Sequence, residues 1–434
     1  MPDHTALEAR LNITLKQHLA GQFTEAERGY LELLQEAPDR ADLHHWLGFL
    51  LQQQDRLPEA RTHLQIALNL DDSHSEWQFN LGITLARLGE YHAAIHALQR
   101  ACAMAPTQYF YWTNLGSTFE NAGDEASAEQ CFIKAQHINP ACPDAWYQHA
   151  TLCLRQARYA EARTLNHRGL IAAPEQVTSR VMLAQAWHAL GHTDEALAVF
   201  ERWLAAEPDH PQALHLRAAY QQQSPSCCTP DYVQNTFDGF AANFDHILGR
   251  LAYAGPQWLA DYLATQPAAP HALKVADLGC GTGLAGGILA PWASILTGVD
   301  LSTGMLEKAA AKGHYTDLQC IDIHTFLVSH PNTFDLLVCL DTLIYIGALD
   351  LLFEAAAHAL KPGARLIFTT ETLTDDAGRP WQLNTSGRYS HRTRWVHEQL
   401  KQRGLVITHY SSGAIRNESG IPVVGDFFCA QRPD

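Results

Sequence analysis

"KVADLGCGTGLAGGIL", Lys274 to Leu289, decides how the second half of this chain is read. Its first residues are an apolar run typical of a buried strand, and apolar residues after the turn begin a helix. Gly279, Gly281 and Gly283 lie between them, where side chains would obstruct a tight turn and a close backbone approach. A strand, a glycine-rich turn and a helix in that order receive a nucleotide in many enzymes. The same texture continues outward. "LKVADL" (273–278), "ILTGVDL" (295–301), "TDLQCID" (316–322), "FDLLVCLD" (334–341) and "ARLIFTTE" (364–371) are β-rich runs separated by helical patterns, which predicts a parallel α/β sheet. "LVITHY" (405–410) and "VVGDFFCAQ" (423–431) follow with only a loop between them, and predict an antiparallel hairpin at the sheet edge.

Glycine spacing alone does not name the nucleotide. Gly281, Gly283 and Gly286 satisfy the dinucleotide spacing G-x-G-x-x-G. Carboxylates argue against a pyrophosphate. Asp277 ends the first strand, where it can meet a ligand ammonium and would repel a phosphate at the helix start. Asp300 ends the second strand and can take both ribose hydroxyls, a role shared by both cofactor classes. Asp322, at the end of the third, can accept a bond from an adenine amino group.

Three acids on successive strand ends, with "DLGCGTG" and "GVDLSTGML", resemble the S-adenosylmethionine-dependent methyltransferases of the Rossmann-like class. The resemblance implies that Asp277, Gly279, Cys280, Gly281, Gly283, Asp300, Leu301, Met305, Asp322, Ile323 and Leu340 hold S-adenosyl-L-methionine. After the fourth strand stands "CLDTLIY", not the Asn/Asp-Pro-Pro-Tyr of adenine, cytosine-amino and glutamine methyltransferases, which disfavours amide and exocyclic-amine chemistry. Topology puts Asp341, Thr342 and Tyr345 on the sulfonium side, so Asp341 and Tyr345 are candidate catalytic residues. His391 is the candidate general base, with a hydrogen-bonded loop histidine as the alternative. Arg388, Tyr389 and Arg416 are candidate substrate contacts, the arginines for a carboxylate; a salt bridge from Arg416 to Glu418 is the competing expectation. Phe237, Phe240 and Phe244 form either a lid over the cofactor or part of the core.

The first half repeats with a period of 34. Ala26, Ala60, Ala94, Ala128, Ala162 and Ala196 form one series; Gly21, Asp55, Gly89, Gly123, Ala157 and Gly191 form another. Pro38, Asp72, Pro106, Pro140, Pro174 and Pro208 separate the units. Each unit reads as a helical hairpin that cannot bury its own apolar face and must stack on its neighbours. Six such units and a capping helix resemble a tetratricopeptide-repeat solenoid. The resemblance implies a groove carrying Asp42, His45 and Phe49; Glu76, Phe79 and Ile83; Phe110, Thr113 and Ser117; and Asp144, Tyr147 and Thr151. Such a lining lacks the Lys, Arg and Asn of carboxylate-clamping repeats and favours no acidic tail.

The expected architecture is therefore an all-α solenoid over 7–222, a linker over 223–231 and an α/β methyltransferase domain over 232–434. As a whole the chain is similar to predicted methyltransferases that carry N-terminal tetratricopeptide repeats, on the stretches "FDGFAANFDHILGRLAYAGP" (237–256), "LDTLIYIGAL" (340–349), "SGRYSHR" (386–392) and "IRNESGIPVVG" (415–425). Thirty Lys and Arg stand against 46 Asp and Glu, with no basic run, so nucleic acid is not an expected partner. No long apolar segment or signal-like N-terminus appears, and the expectation is a cytoplasmic protein with no membrane partner. The ten cysteines lack C-x-x-C pairs and the 24 histidines lack zinc-ligand spacing, so no metal is expected. Methylation of a peptide or protein recruited by the repeats is the leading expectation. The alternatives are a small-metabolite methyltransferase whose repeats serve assembly, and a cofactor-binding scaffold or sensor.

Overall fold

A computed structural model describes residues 4–241, 244–267, 271–374, 378–418 and 420–434. The chain divides into two units, Met1–Gly191 and His192–Asp434.

The first unit is a run of antiparallel helix pairs, from His4–Leu19 with Phe23–Glu36 to Pro143–Arg155 with Tyr159–Ala172, followed by the helix Arg180–Ala189. The 34-residue series explain it locally. Ala26, Ala60, Ala94, Ala128 and Ala162 are fully buried where paired helices meet. At Gly48, Gly82 and Gly116 a Cβ would stand 2.8, 2.6 and 2.7 Å from Leu64, Leu98 and Phe132, so these glycines set the closest helix approach. Every member of the turn series is left-handed: Gly21, Gly89, Gly123 and Gly191 have φ of 75, 79, 85 and 87°, and Asp55 and Ala157 follow at 63 and 59°. Pro106 and Pro140 cannot continue a helix; their carbonyls instead accept the indole N–H of Trp112 and Trp146 at 3.0 and 2.9 Å.

The second unit opens with helices Thr193–Ala206 and Pro211–Tyr220, so the second helix of the sixth hairpin and the capping helix belong to it. Among the described residues a nine-stranded sheet follows: β1 (Leu273–Leu278), β2 (Ala293–Asp300), β3 (Asp317–Cys320), β4 (Phe334–Cys339), β5 (Leu360–Thr372), β6 (Trp381–Leu383), β7 (Tyr389–His391), β8 (Val406–Glu418) and β9 (Ile421–Gln431). β3, β2, β1, β4 and β5 are parallel in that spatial order. β9 pairs antiparallel with both β5 and β8, which is the expected edge hairpin. The short pair β6–β7 spans three residues on each side, too few for an alternation to register in the sequence.

Alternation sorts the strands onto two cores. Ala276, Leu337, Phe368 and Phe428 pack on one face with Phe353, Val396 and Leu400. Val275, Leu336, Ile367 and Phe427 pack on the other with Leu259, Leu263 and Leu289. With both faces covered, the parallel strands read as continuous apolar runs. The chain leaves β1 toward β2 and returns to β1's other side at β4, and a crevice opens at the strand ends beside that reversal.

Candidate functional site

The crevice is a cavity of about 610 Å³. Asp277, Gly279, Cys280, Gly281, Asp300, Leu301, Met305, Asp322, Ile323, Leu340, Asp341, Tyr345, Arg388 and Arg416 all line it. Gly283, Tyr389 and His391 do not appear on its wall.

The glycine turn is built tightly. Gly279, Gly281 and Gly283 have φ of 73, 53 and 80°, a region that costs other residues energy. A Cβ at Gly279 would stand 2.3 Å from the Thr342 hydroxyl, and one at Gly283 2.9 Å from the Tyr315 ring. Gly283 therefore shapes the turn from behind. At Gly281 a Cβ would meet only Phe244, at 3.8 Å, so its missing side chain leaves open space on the cavity side.

The carboxylates are held in distinct ways. Asp277 is 2% exposed, and the Tyr315 hydroxyl donates to its Oδ2 at 2.6 Å. Burial raises its carboxyl to about 6, the Tyr315 bond opposes that, and repulsion from Asp300 adds to it. Asp300 accepts the N–H of Gly281 through Oδ2 and of Ser302 through Oδ1, both at 2.9 Å. Burial pushes its carboxyl up, and these amides pull against the rise. β3 ends at Cys320, and Asp322 stands beyond it as the cap of helix Ile323–Val328, with Oδ1 accepting the Thr325 N–H at 3.0 Å.

Asp341 lies two residues past β4 with φ +52°, a conformation that costs a non-glycine residue on the order of 1–3 kcal/mol. Its N–H donates to Thr369 Oγ1 at 2.8 Å and its Oδ1 accepts from Arg416 Nη1 at 2.7 Å, which hold it there. Arg416 also donates from Nε to Glu418 at 2.7 Å and from Nη2 to Glu371. Arg388 donates to Glu418 as well. The salt bridge from Arg416 to Glu418 is present, and both guanidiniums are committed to carboxylates of the chain.

Two sequence expectations are corrected by position. His391 is 0% exposed, and its Nε2 donates to the carbonyls of Ile346 and Gly347 at 2.8 and 3.1 Å. Burial lowers its imidazole to about 4 despite those bonds, so it is neutral with its proton facing backbone. A base would need its unprotonated Nδ1 open to the cavity, whereas that atom is buried; His391 braces the Tyr345 segment instead. Tyr389 is also 0% exposed and off the cavity wall, and its hydroxyl donates to the Pro225 carbonyl at 2.9 Å.

Much of the remaining wall comes from the helices before β1 and from the segment before them. Phe237 and Phe244 line the cavity with rings 5.9 Å apart, which favours a lid; the side chain of Phe240 lies outside the described residues. Asp238 fastens this helical cover by accepting from Ser302 Oγ at 2.5 Å, and Asp245 accepts from Thr282 and Lys312. Gln212, Ser226, Cys227 and Cys228 complete the wall, so the segment expected to be a linker is structural. Gly347 and Ala348 both donate to the Ser226 carbonyl at 2.8 Å, and Cys228 N–H donates to the Tyr345 carbonyl at 3.0 Å. Tyr253 also lines the wall, with a buried hydroxyl that has no hydrogen-bond partner among the described residues.

Comparison with known proteins agrees with this organisation. Residues 276–368 match the family described as methyltransferase domain, and 39–107, 111–142 and 154–220 match tetratricopeptide repeat families. The chain is 38% identical over 101 residues to a ubiquinone biosynthesis O-methyltransferase of Idiomarina loihiensis, covering 22% of this chain and 42% of that one. It is 35% identical over 148 residues to human methyltransferase-like protein 27, covering 33% of this chain and 60% of the relative. The chain thus spans about half the length of these curated relatives. It carries a methyltransferase domain preceded by tetratricopeptide repeats.

Proposed function

We propose that this protein is a class I methyltransferase that uses S-adenosyl-L-methionine. One observation carries the proposal: the carboxylates of Asp277, Asp300 and Asp322 and the open backbone at Gly281 converge on one cavity at the ends of β1 to β3. The donor set suits the cofactor. Asp277 offers a buried negative charge to an ammonium, and Asp300, already oriented by two amides, keeps lone pairs for ribose hydroxyls. Asp322, Leu301 and Ile323 supply a polar edge and apolar faces for a base. A volume near 610 Å³ is of the size that small-molecule cofactor sites have.

Bound there, the cofactor supplies an electrophilic methyl group. The chain's own residues then orient and exclude water. Asp238 and Asp245 keep the helical cover on the cofactor loops, and Phe237 and Phe244 make its inner face apolar. Fixing the acceptor in line with the methyl group supplies most of the rate, because displacement at a sulfonium needs no covalent nucleophile. Asp341 and Tyr345 are the residues positioned to meet the acceptor, and burial holds the Tyr345 phenol up at about 12, so it serves as a donor, not as a base.

The repeats support a peptide or protein substrate, since tetratricopeptide repeats generally mediate protein–protein contacts. O-methylation of a small molecule is the second reading, favoured by the likeness to a ubiquinone biosynthesis O-methyltransferase. Either way the cofactor assignment is tested by calorimetry with S-adenosylhomocysteine. Binding is expected in the native protein, and Asp300→Ala is expected to weaken it by about 1.5–3 kcal/mol through loss of a charge-assisted contact. Unchanged affinity in the variant, or tighter binding of a nicotinamide dinucleotide, rejects the assignment.

A further inference from the structure

The cavity is acidic beyond what the cofactor uses. Arg388 and Arg416 are the guanidiniums on its described wall, and both are engaged: Arg416 by Asp341, Glu418 and Glu371, Arg388 by Glu418. Three carboxylates, of which Asp341 lines the cavity and Glu371 and Glu418 lie behind its wall, therefore face two guanidiniums, and the cluster keeps a formal charge of −1 by that count. Asp350 adds a further carboxylate on the same wall, beyond those read as cofactor contacts. Among the described residues of the wall, a substrate carboxylate would find no uncommitted guanidinium or ammonium and would meet repulsion, contrary to the sequence expectation for Arg388 and Arg416.

Aromatic rings line the same space. Phe237 stands edge-on to Tyr345 at 5.2 Å, and Tyr232 and Tyr253 complete the group. Rings of this kind attract cations through their negative faces, most strongly where water is excluded. Acidic side chains with aromatic walls are the usual elements of a cation receptor.

We propose that the methyl acceptor is a protonated amine, an alkylammonium received among Tyr345, Asp341 and Asp350; the inference rests on the methyltransferase reading and names the substrate class of the same site. The ammonium gives one proton to the Asp341 carboxylate, which returns it to water. The freed nitrogen lone pair forms the N–C bond as the methyl C–S bond breaks, its electron pair going to sulfur. The product leaves as a methylammonium, so one methyl group is moved and one proton released.

The test is a binding measurement that does not depend on turnover. The full chain saturated with S-adenosylhomocysteine is titrated with choline, with its uncharged isostere 3,3-dimethylbutanol and with the anion pivalate. Choline is expected to bind at least about tenfold more tightly than the isostere, with pivalate weakest. Glu418→Gln, which frees a guanidinium, and Asp350→Asn, which removes one carboxylate, are each expected to cut the choline preference severalfold; thermal unfolding of each shows that it is folded. Equal or tighter binding of the isostere, preference for pivalate, or no binding of any probe overturns the inference. Failure to bind S-adenosylhomocysteine at the first step overturns the methyltransferase reading instead, so the two failures are distinguishable.

Discussion

At the scale of single residues, the buried carboxyl of Asp277 makes the site's clearest pH dependence. An unfolded aspartate titrates near 3.9, and burial raises this one to about 6 with Tyr315 opposing and Asp300 adding to the shift. The raised value means that the fold holds the proton more tightly than the unfolded chain does. Asp277 therefore lowers stability progressively as pH rises from about 4 to about 6. Cofactor binding has the opposite sign, because a ligand ammonium needs the charged carboxylate. Affinity for S-adenosylhomocysteine is expected to rise by up to about tenfold per pH unit below 6 and to level off above 7, with Asp277→Asn giving a weaker and flat profile by calorimetry. A native profile as flat as the variant's would remove Asp277 from the ammonium contact. Asp277 and Asp300 were legible in the sequence because each follows an apolar run at a strand end. Glu371, near the end of β5, follows the same pattern and binds Arg416. The burial of Tyr389 and His391 leaves no trace in "SGRYSHR", which has no apolar pattern. The Tyr315 contact to Asp277 spans 38 residues and leaves no local trace.

At the scale of elements, the parallel strands and the helix pairs announce themselves by period, whereas segments held by backbone bonding do not. The stretch from Gln221 to Thr229 has the Ser, Pro and Cys composition of a linker. Yet Ser226 accepts two amides of the Tyr345 segment, Pro225 accepts the Tyr389 hydroxyl and Ser224 Oγ accepts the Leu383 N–H at 3.2 Å. Backbone carbonyls have no sequence signature, which is why composition misled here. The capping helix joins in: His215 Nε2 bonds the Gly387 carbonyl at 2.9 Å, and its ring lies 4.0 Å from that of Tyr232. A protein cut to 232–434 should therefore lose protection of the Gly347 and Ala348 amides in hydrogen exchange and bind S-adenosylhomocysteine at least several-fold more weakly than one cut to 192–434. Equal protection and affinity in the two fragments would mean that the segment only connects.

At the scale of the whole molecule, the residues proposed to hold the cofactor all lie after residue 276, which leaves recruitment as the role proposed for the repeat unit. The face expected to form the groove is only partly available. His45 is buried against Trp77 at 5.0 Å, and Phe79 stacks on Tyr111 at 4.6 Å, so both serve the fold. Phe110 and Tyr147 are 38% and 37% exposed, and Glu76 and Asp144 are exposed on the same series of helices. Exposed rings beside carboxylates suit a basic peptide, and the formal charge of −16 favours its approach. A basic peptide is also what an amine-methylating site would need. Changing Phe110 and Tyr147 to Ala should therefore lower methyl transfer into host polypeptide at limiting substrate by about tenfold, near 1.4 kcal/mol, through KM and not kcat. S-adenosylhomocysteine affinity should stay unchanged, and a free alkylamine should be methylated equally by both forms. If the double variant labels polypeptide as the parent does, these rings do not recruit it; if label enters only small molecules, the repeats serve assembly and the metabolite reading takes precedence.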